Sequence, residues 1–68
     1  MILIENIDAY CAKHNISIKE FERRCGVANS SVHKWRVGVQ SPSMKSITYI
    51  ERGTGIPSAK WLTKGGVA

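Results

Sequence analysis

Apolar residues recur at three- and four-residue spacing in five short segments, separated by asparagine, glycine and proline. That spacing gathers apolar side chains on one face of a helix. No stretch alternates apolar and polar residues for long enough to predict a strand. In the first segment Leu3, Ile7, Tyr10, Cys11 and His14 share a face, which predicts a helix over Ile2–His14 with Asn15 as its left-handed stop. The second segment opens on Ser17-Ile18-Lys19-Glu20, the pattern of a capping box, with Ile16 and Phe21 placed as a hydrophobic staple. Ile18, Phe21 and Cys25 form its buried stripe, and Gly26 ends it by taking a positive φ without steric cost.

The third helix is expected to be capped by Ala28 or Asn29 and to run to about Val37. Ala28, Val32 and Trp35 face inward, which leaves Asn29, Ser30, His33, Lys34 and Arg36 outside. After Gly38 and the Ser41-Pro42-Ser43 loop, Ser43 caps a fourth helix with Met44, Ile47 and Ile50 as its stripe, closed by Gly53 and Gly55. Ser58 caps a short fifth helix anchored by Trp61 and Leu62, at least one of which is expected in the core and the other there or partly exposed at a dimer contact. The pattern predicts an all-α bundle of five helices over residues 1–64 and a flexible, fraying tail over 65–68. Phe21, Trp35 and Trp61 are its largest core candidates, and burying one such side chain stabilises by about 1.5–3 kcal/mol. In a chain of 68 residues, loss of either tryptophan is expected to unfold the domain.

Composition narrows the class. No apolar run approaches the roughly 18 residues of a membrane span. The opening Met1-Ile2-Leu3-Ile4 is followed at once by Glu5 and Asp8, unlike a secretory leader, so a cytoplasmic protein without a membrane partner is expected. Cys11 and Cys25 both fall on apolar stripes and are expected to be reduced, buried thiols. The net charge is +5, unevenly spread. Up to Glu22, acids outnumber Lys13 and Lys19; beyond it, every charged side chain is basic except Glu51. A one-sided basic segment suits a polyanion, because each neutralised phosphate releases condensed counterions.

The stretch from Ser17 to Gly38 has a capped helix, a glycine at its end, a short turn pinned by Val27, and a second helix with small polar residues at its start. It resembles the helix-turn-helix of the phage repressor and Cro family and of xenobiotic-response-element regulators. Phe21, Cys25-Gly26-Val27, Asn29-Ser30-Ser31, Val32 and Gly38 occupy the family's places. Ser41-Pro42-Ser43-Met44 is similar to its loop into helix four, and Gly55-Ile56-Pro57 with Trp61-Leu62 to its ending, so the likeness spans about residues 3–63. The resemblance implies a lambda-repressor-like fold with the motif at helices 2–3, and a sequence-specific regulator that inserts helix 3 into the major groove of duplex DNA. It implies a homodimer on DNA through the helix 4–5 region, bound to half-sites about one turn apart. The chain shows no sensor domain, so a Cro-like, ligand-independent role is expected if it is complete, with no small-molecule ligand.

Carried over by position, Asn29, Ser30, His33 and Lys34 match base-reading places; Asn29 suits an adenine edge and Lys34 guanine O6 and N7. Ser17, Ser31, Arg36, Gln40, Ser43 and Lys45 fall at or near phosphate-gripping places, although Ser17 and Ser43 serve equally as helix caps. Three residues depart from the pattern. Glu22 stands where the family usually has alanine, close to the helix crossing, and is expected to tilt outward or pair with Arg36. Ile18 replaces a frequent glutamine and Val37 a frequent polar residue, so those backbone contacts are expected to be missing.

Other chemistry has little support. Cys11-x-x-His14 would put two ligands on one helix face, but Cys25 and His33 do not continue a zinc-ligand spacing. There is no phosphate-binding glycine loop, paired catalytic carboxylate or metalloprotease motif, so no cofactor, no metal and no enzymatic activity are expected. The rival class is a protein-interaction or antitoxin-like module on the same scaffold, which the fold alone does not separate from a DNA reader.

Overall fold

The computed structural model describes residues 1–67, which form five helices and, among the described residues, no strand. α1 spans Ile2–His14, α2 Ile18–Cys25, α3 Ser31–Arg36, α4 Met44–Thr54 and α5 Ser58–Trp61. α1 ends as expected on a left-handed Asn15 (φ 53°). Its inner face carries Leu3, Ile4, Ile7 and Cys11, but His14, expected on that face, is exposed. The ring of His14 instead leans on half-buried Tyr10, centroids 4.1 Å apart.

Only one arm of the capping box on α2 forms. Ser17 Oγ accepts the Glu20 amide at 3.0 Å. The Glu20 carboxylate turns away to accept from Arg23 and Arg24 on its own helix. Gly26 closes α2 at φ 80°.

α3 starts later than expected. Ala28, expected to face inward, is exposed and lies with Asn29 and Ser30 in the turn. Ser30 holds the N-cap position at φ 69° with no bond from its hydroxyl to the helix. Val27 in the turn and Val32 and Trp35 of α3 are buried in one core cluster with Phe21 and Cys25 of α2.

In α4, Ser43 Oγ caps by accepting the Ser46 amide at 3.1 Å, and Ile47 and Ile50 face the core. Met44 does not join them and is 72% exposed. The first turn of α4 borders an open cleft beside α3, so a stripe extended one turn back runs out of core to meet. Gly53 lies inside α4 rather than ending it; Gly55 is the stop, at φ 74°. A Cβ on Gly53 would lie 2.7 Å from Cys25 Cα, so the absence of a side chain lets α4 cross against α2.

α5 begins one residue earlier than a Ser58 cap requires: Pro57 is at the cap position and Ser58 is helical. The Ser58 amide donates to Glu51 Oε2 at 2.8 Å, so a side chain of α4 caps α5. At the other end, buried Asn6 of α1 donates from Nδ2 to the carbonyls of Trp61 (2.7 Å) and Thr63 (3.0 Å). Trp61 is fully buried against Tyr10 and Phe21, ring centroids 5.6 and 5.8 Å away. Of the two anchors Trp61 is the one in the core: Leu62 is 49% exposed, because the four-residue helix turns only one large side chain inward. Residues 65–67, expected as a flexible tail, lie against the bundle. Gly65 turns the chain at φ 71°, Gly66 donates to Thr63 O at 2.9 Å, and Val67 is 7% exposed within the core. Ala68, the last residue of the expected tail, lies outside the described residues.

Candidate nucleic-acid interface

Val32 and Trp35 are buried, and their fixed inward direction turns the rest of α3 out. Asn29, Ser30, His33, Lys34 and Arg36 are all exposed, as the periodicity predicts. Ser31 differs: it keeps only 9% of its surface open, because the first helical residue sits over the crossing with α2.

Two clefts flank the exposed edge of α3. The first, about 430 Å³, lies at the start of α2 and has Ser17, Lys19 and Asn29 on its rim. The second, about 500 Å³, separates α3 from the α3–α4 loop and the first turn of α4. Ser31, Lys34, Gln40, Ser43 and Lys45 line it together. They come from separate stretches of sequence, and the loop brings them together around one cleft. The closure is held by the amides of Val39 and Gln40, which donate to Lys34 O at 3.0 and 3.3 Å. His33 lines neither cleft and stands on the outer surface of α3.

The cations are not equally free. Arg36 donates through both terminal nitrogens to Asp8 of α1, at 2.8 and 3.0 Å, and the bond holds the Asp8 carboxyl below its usual range. Arg23 and Arg24 share Glu20, and their hydrogen bonds lower its pKa to about 2. Lys45 rests its ammonium 5.8 Å from the Tyr49 ring centroid.

Glu22 neither tilts outward nor pairs with Arg36. It is 4% exposed, and its carboxylate accepts the amides of Ser30 (3.2 Å) and Val32 (2.9 Å). The small residue expected at the crossing would leave those two amides of α3 without this partner. Ile18 is half-buried against the core, and Val37 is exposed with an apolar side chain; neither side chain has a donor for a phosphate.

A helix-turn-helix family model matches residues 7–61, which include both helices of the motif and the cleft beside α3. The chain belongs to the Cro/C1-type helix-turn-helix family. As a member it is a DNA-binding transcriptional regulator, and its partner is double-stranded DNA. No curated protein and no solved structure matches the chain. In this helix-turn-helix domain α2 and α3 are the motif, and the polar cluster Asn29-Ser30 stands at its turn.

The sequence pattern did not show Asp8, Tyr49 or the true position of Glu22. Charge type was the one available signal for Asp8 and Glu22, since a carboxylate held against a fold needs a partner, but nothing in the spacing says which. Among the described residues no three histidine, cysteine or acidic side chains gather as metal ligands, and no helix is long and apolar enough to cross a membrane. Cys11 and Cys25 are free and buried; burial raises both thiols, Cys25 to about 11.

Proposed function

We propose that the domain is an operator-binding regulator of phage or prophage type, which lays α3 in the major groove and blocks polymerase by occupancy. The observation that supports it best is the convergence of Lys34, Gln40, Ser43 and Lys45 on one cleft beside an exposed helix face. Gln40 in the loop after α3 and Ser43 and Lys45 at the start of α4 then meet one strand of backbone, while Lys34 and the α3 edge point at the bases.

Asn29, Ser30, His33 and Lys34 carry the base contacts in this reading. Ser17, Gln40, Ser43 and Lys45 carry phosphate contacts, with Ser31 contributing only from the cleft wall and Arg36 only by exchanging Asp8 for phosphate. A single domain of this size covers one half-site, so two copies bind together through the α4–α5 region, where Leu62 is exposed.

Selection of bound duplexes from a random pool tests this directly. Recovery of a two-fold repeated motif with half-sites about one helical turn apart, bound by two copies, supports it. Affinity should fall steeply with salt, in proportion to the phosphates contacted. Enrichment of no motif, with salt-insensitive capture of protein partners instead, would reject it in favour of an interaction module. Lys34→Ala should cost about 1–3 kcal/mol and relax one position of the motif. Lys45→Ala should weaken all duplexes alike and lower the salt slope by about one.

A further inference from the structure

α3 has six residues, well short of the roughly 12–15 that hold a helix together alone. Its start is also in an unfavourable conformation. Ser30 lies in the left-handed region at φ 69°, which a residue with a Cβ seldom adopts, and its own hydroxyl makes no capping bond. What holds it is a side chain from the preceding helix. Both carboxylate oxygens of Glu22 are used, one on the Ser30 amide and one on the Val32 amide. The Glu22 charge also lies at the positive end of the α3 dipole.

We propose that Glu22 is the positioning residue of the DNA-reading edge: by clamping Ser30 and Val32 it fixes the left-handed turn from which Asn29 and Ser30 project. The inference rests on the DNA-reading assignment of α3. Glu22 does not itself touch a base, and its carboxylate is spent on the two amides. Asn29 lines the same cleft as Glu22, so release of the clamp moves the side chains at the head of α3, while Lys45 and Ser43 stand apart on α4 and its cap.

This separates positioning from bare electrostatics by sign. Glu22→Gln removes a negative charge close to bound DNA, which alone would tighten binding to every duplex. Loss of the clamp predicts the reverse on a matched sequence. The probes are the duplex that the wild-type chain selects from a random pool and a scrambled duplex of equal length and composition. Both are measured well below the unfolding temperature of each variant. Glu22→Gln should weaken the selected duplex by about tenfold and leave the scrambled one unchanged or slightly tighter. Equal effects on the two duplexes would overturn the proposal and leave Glu22 a purely structural cap. Failure of the wild-type chain to select any duplex would instead remove the DNA-reading assignment itself.

If Glu22→Gln does not fold, amide exchange in the wild-type domain decides. The Ser30 and Val32 amides should exchange far more slowly than those of the exposed turn residues Ala28 and Asn29. Exchange at turn-like rates for Ser30 and Val32 would show that no clamp exists.

Discussion

Arg36, at the end of α3, donates to both carboxylate oxygens of Asp8 on α1, at 2.8 and 3.0 Å. Together with the Glu22 clamp at its start, this places an acid at each end of the helix that the proposed reading lays against a polyanion. The two acids differ in burial: Glu22 is inside the crossing, whereas the side chains of the Asp8–Arg36 pair remain 48% and 43% exposed. The exposed pair is the one that phosphate can replace.

Asp8→Asn should therefore lower stability by less than about 1 kcal/mol in urea denaturation, as exposed pairs generally do. It also frees the Arg36 guanidinium. Affinity for any duplex should rise at low salt, and the slope of log affinity against log salt should steepen by about one. An unchanged slope would show that Arg36 stays off the DNA.

Gly53→Ala should destabilise the domain although alanine is the better helix former by about 1 kcal/mol. The new Cβ would lie 2.7 Å from Cys25 Cα and 3.2 Å from Arg24 O, both backbone atoms that no rotamer change can move. α2 and α4 must separate, at a net cost of about 2 kcal/mol and a drop in Tm of about 10 °C. A calorimetric scan with Tm equal to or above wild type would contradict the close crossing.

Acid should weaken the domain through Glu20 and Asp8. Both carboxyls are lowered in the folded state, Glu20 from 4.5 to about 2 by hydrogen bonds from Arg23 and Arg24, and Asp8 by its hydrogen bonds from Arg36. Their stabilisation is full above about pH 4.5 and is lost as pH falls through the folded values. A carbon-detected NMR titration of Glu20 should give a midpoint near 2 that climbs toward 4.5 in concentrated salt. Glu20→Gln should flatten the stability profile over that interval.

Asn6→Ala should cost about 1–3 kcal/mol, because the carbonyls at the end of α5 lose a buried donor. Asn6→Asp should be worse, since a carboxylate cannot donate and would face the oxygens of Trp61 and Thr63 that Nδ2 now serves. Urea midpoints falling in the order wild type, alanine, aspartate would bear this out.

The thiols should resist modification in the native state at pH 8. Both are buried, and Cys25 is raised to about 11 by burial first and by Cys11 second, so little thiolate exists to react. Labelling should proceed at the rate of opening, and selected duplex DNA should slow it by mass action. Labelling that DNA leaves untouched would mean the thiols react from the folded domain.

By itself the sequence determined the number of helices, most of their ends and the main residues that face the core. The Ser17 and Ser43 caps, the stops at Asn15, Gly26 and Gly55, and the buried Ile7, Phe21, Val32, Trp35 and Trp61 all follow from local dihedral preference and a 3.6-residue period. The same period exposed the outer face of α3. Tertiary structure alone decided which partner each polar group found: Glu22 reaches ten residues on to Val32, and Asn6 reaches 55 residues on to Trp61. It also decided where an apolar stripe runs out of core, leaving Met44 and Leu62 exposed while Val67 folded inward. Periodicity records the direction of a side chain, whereas a hydrogen bond or a close crossing depends on what another part of the chain brings within about 3 Å.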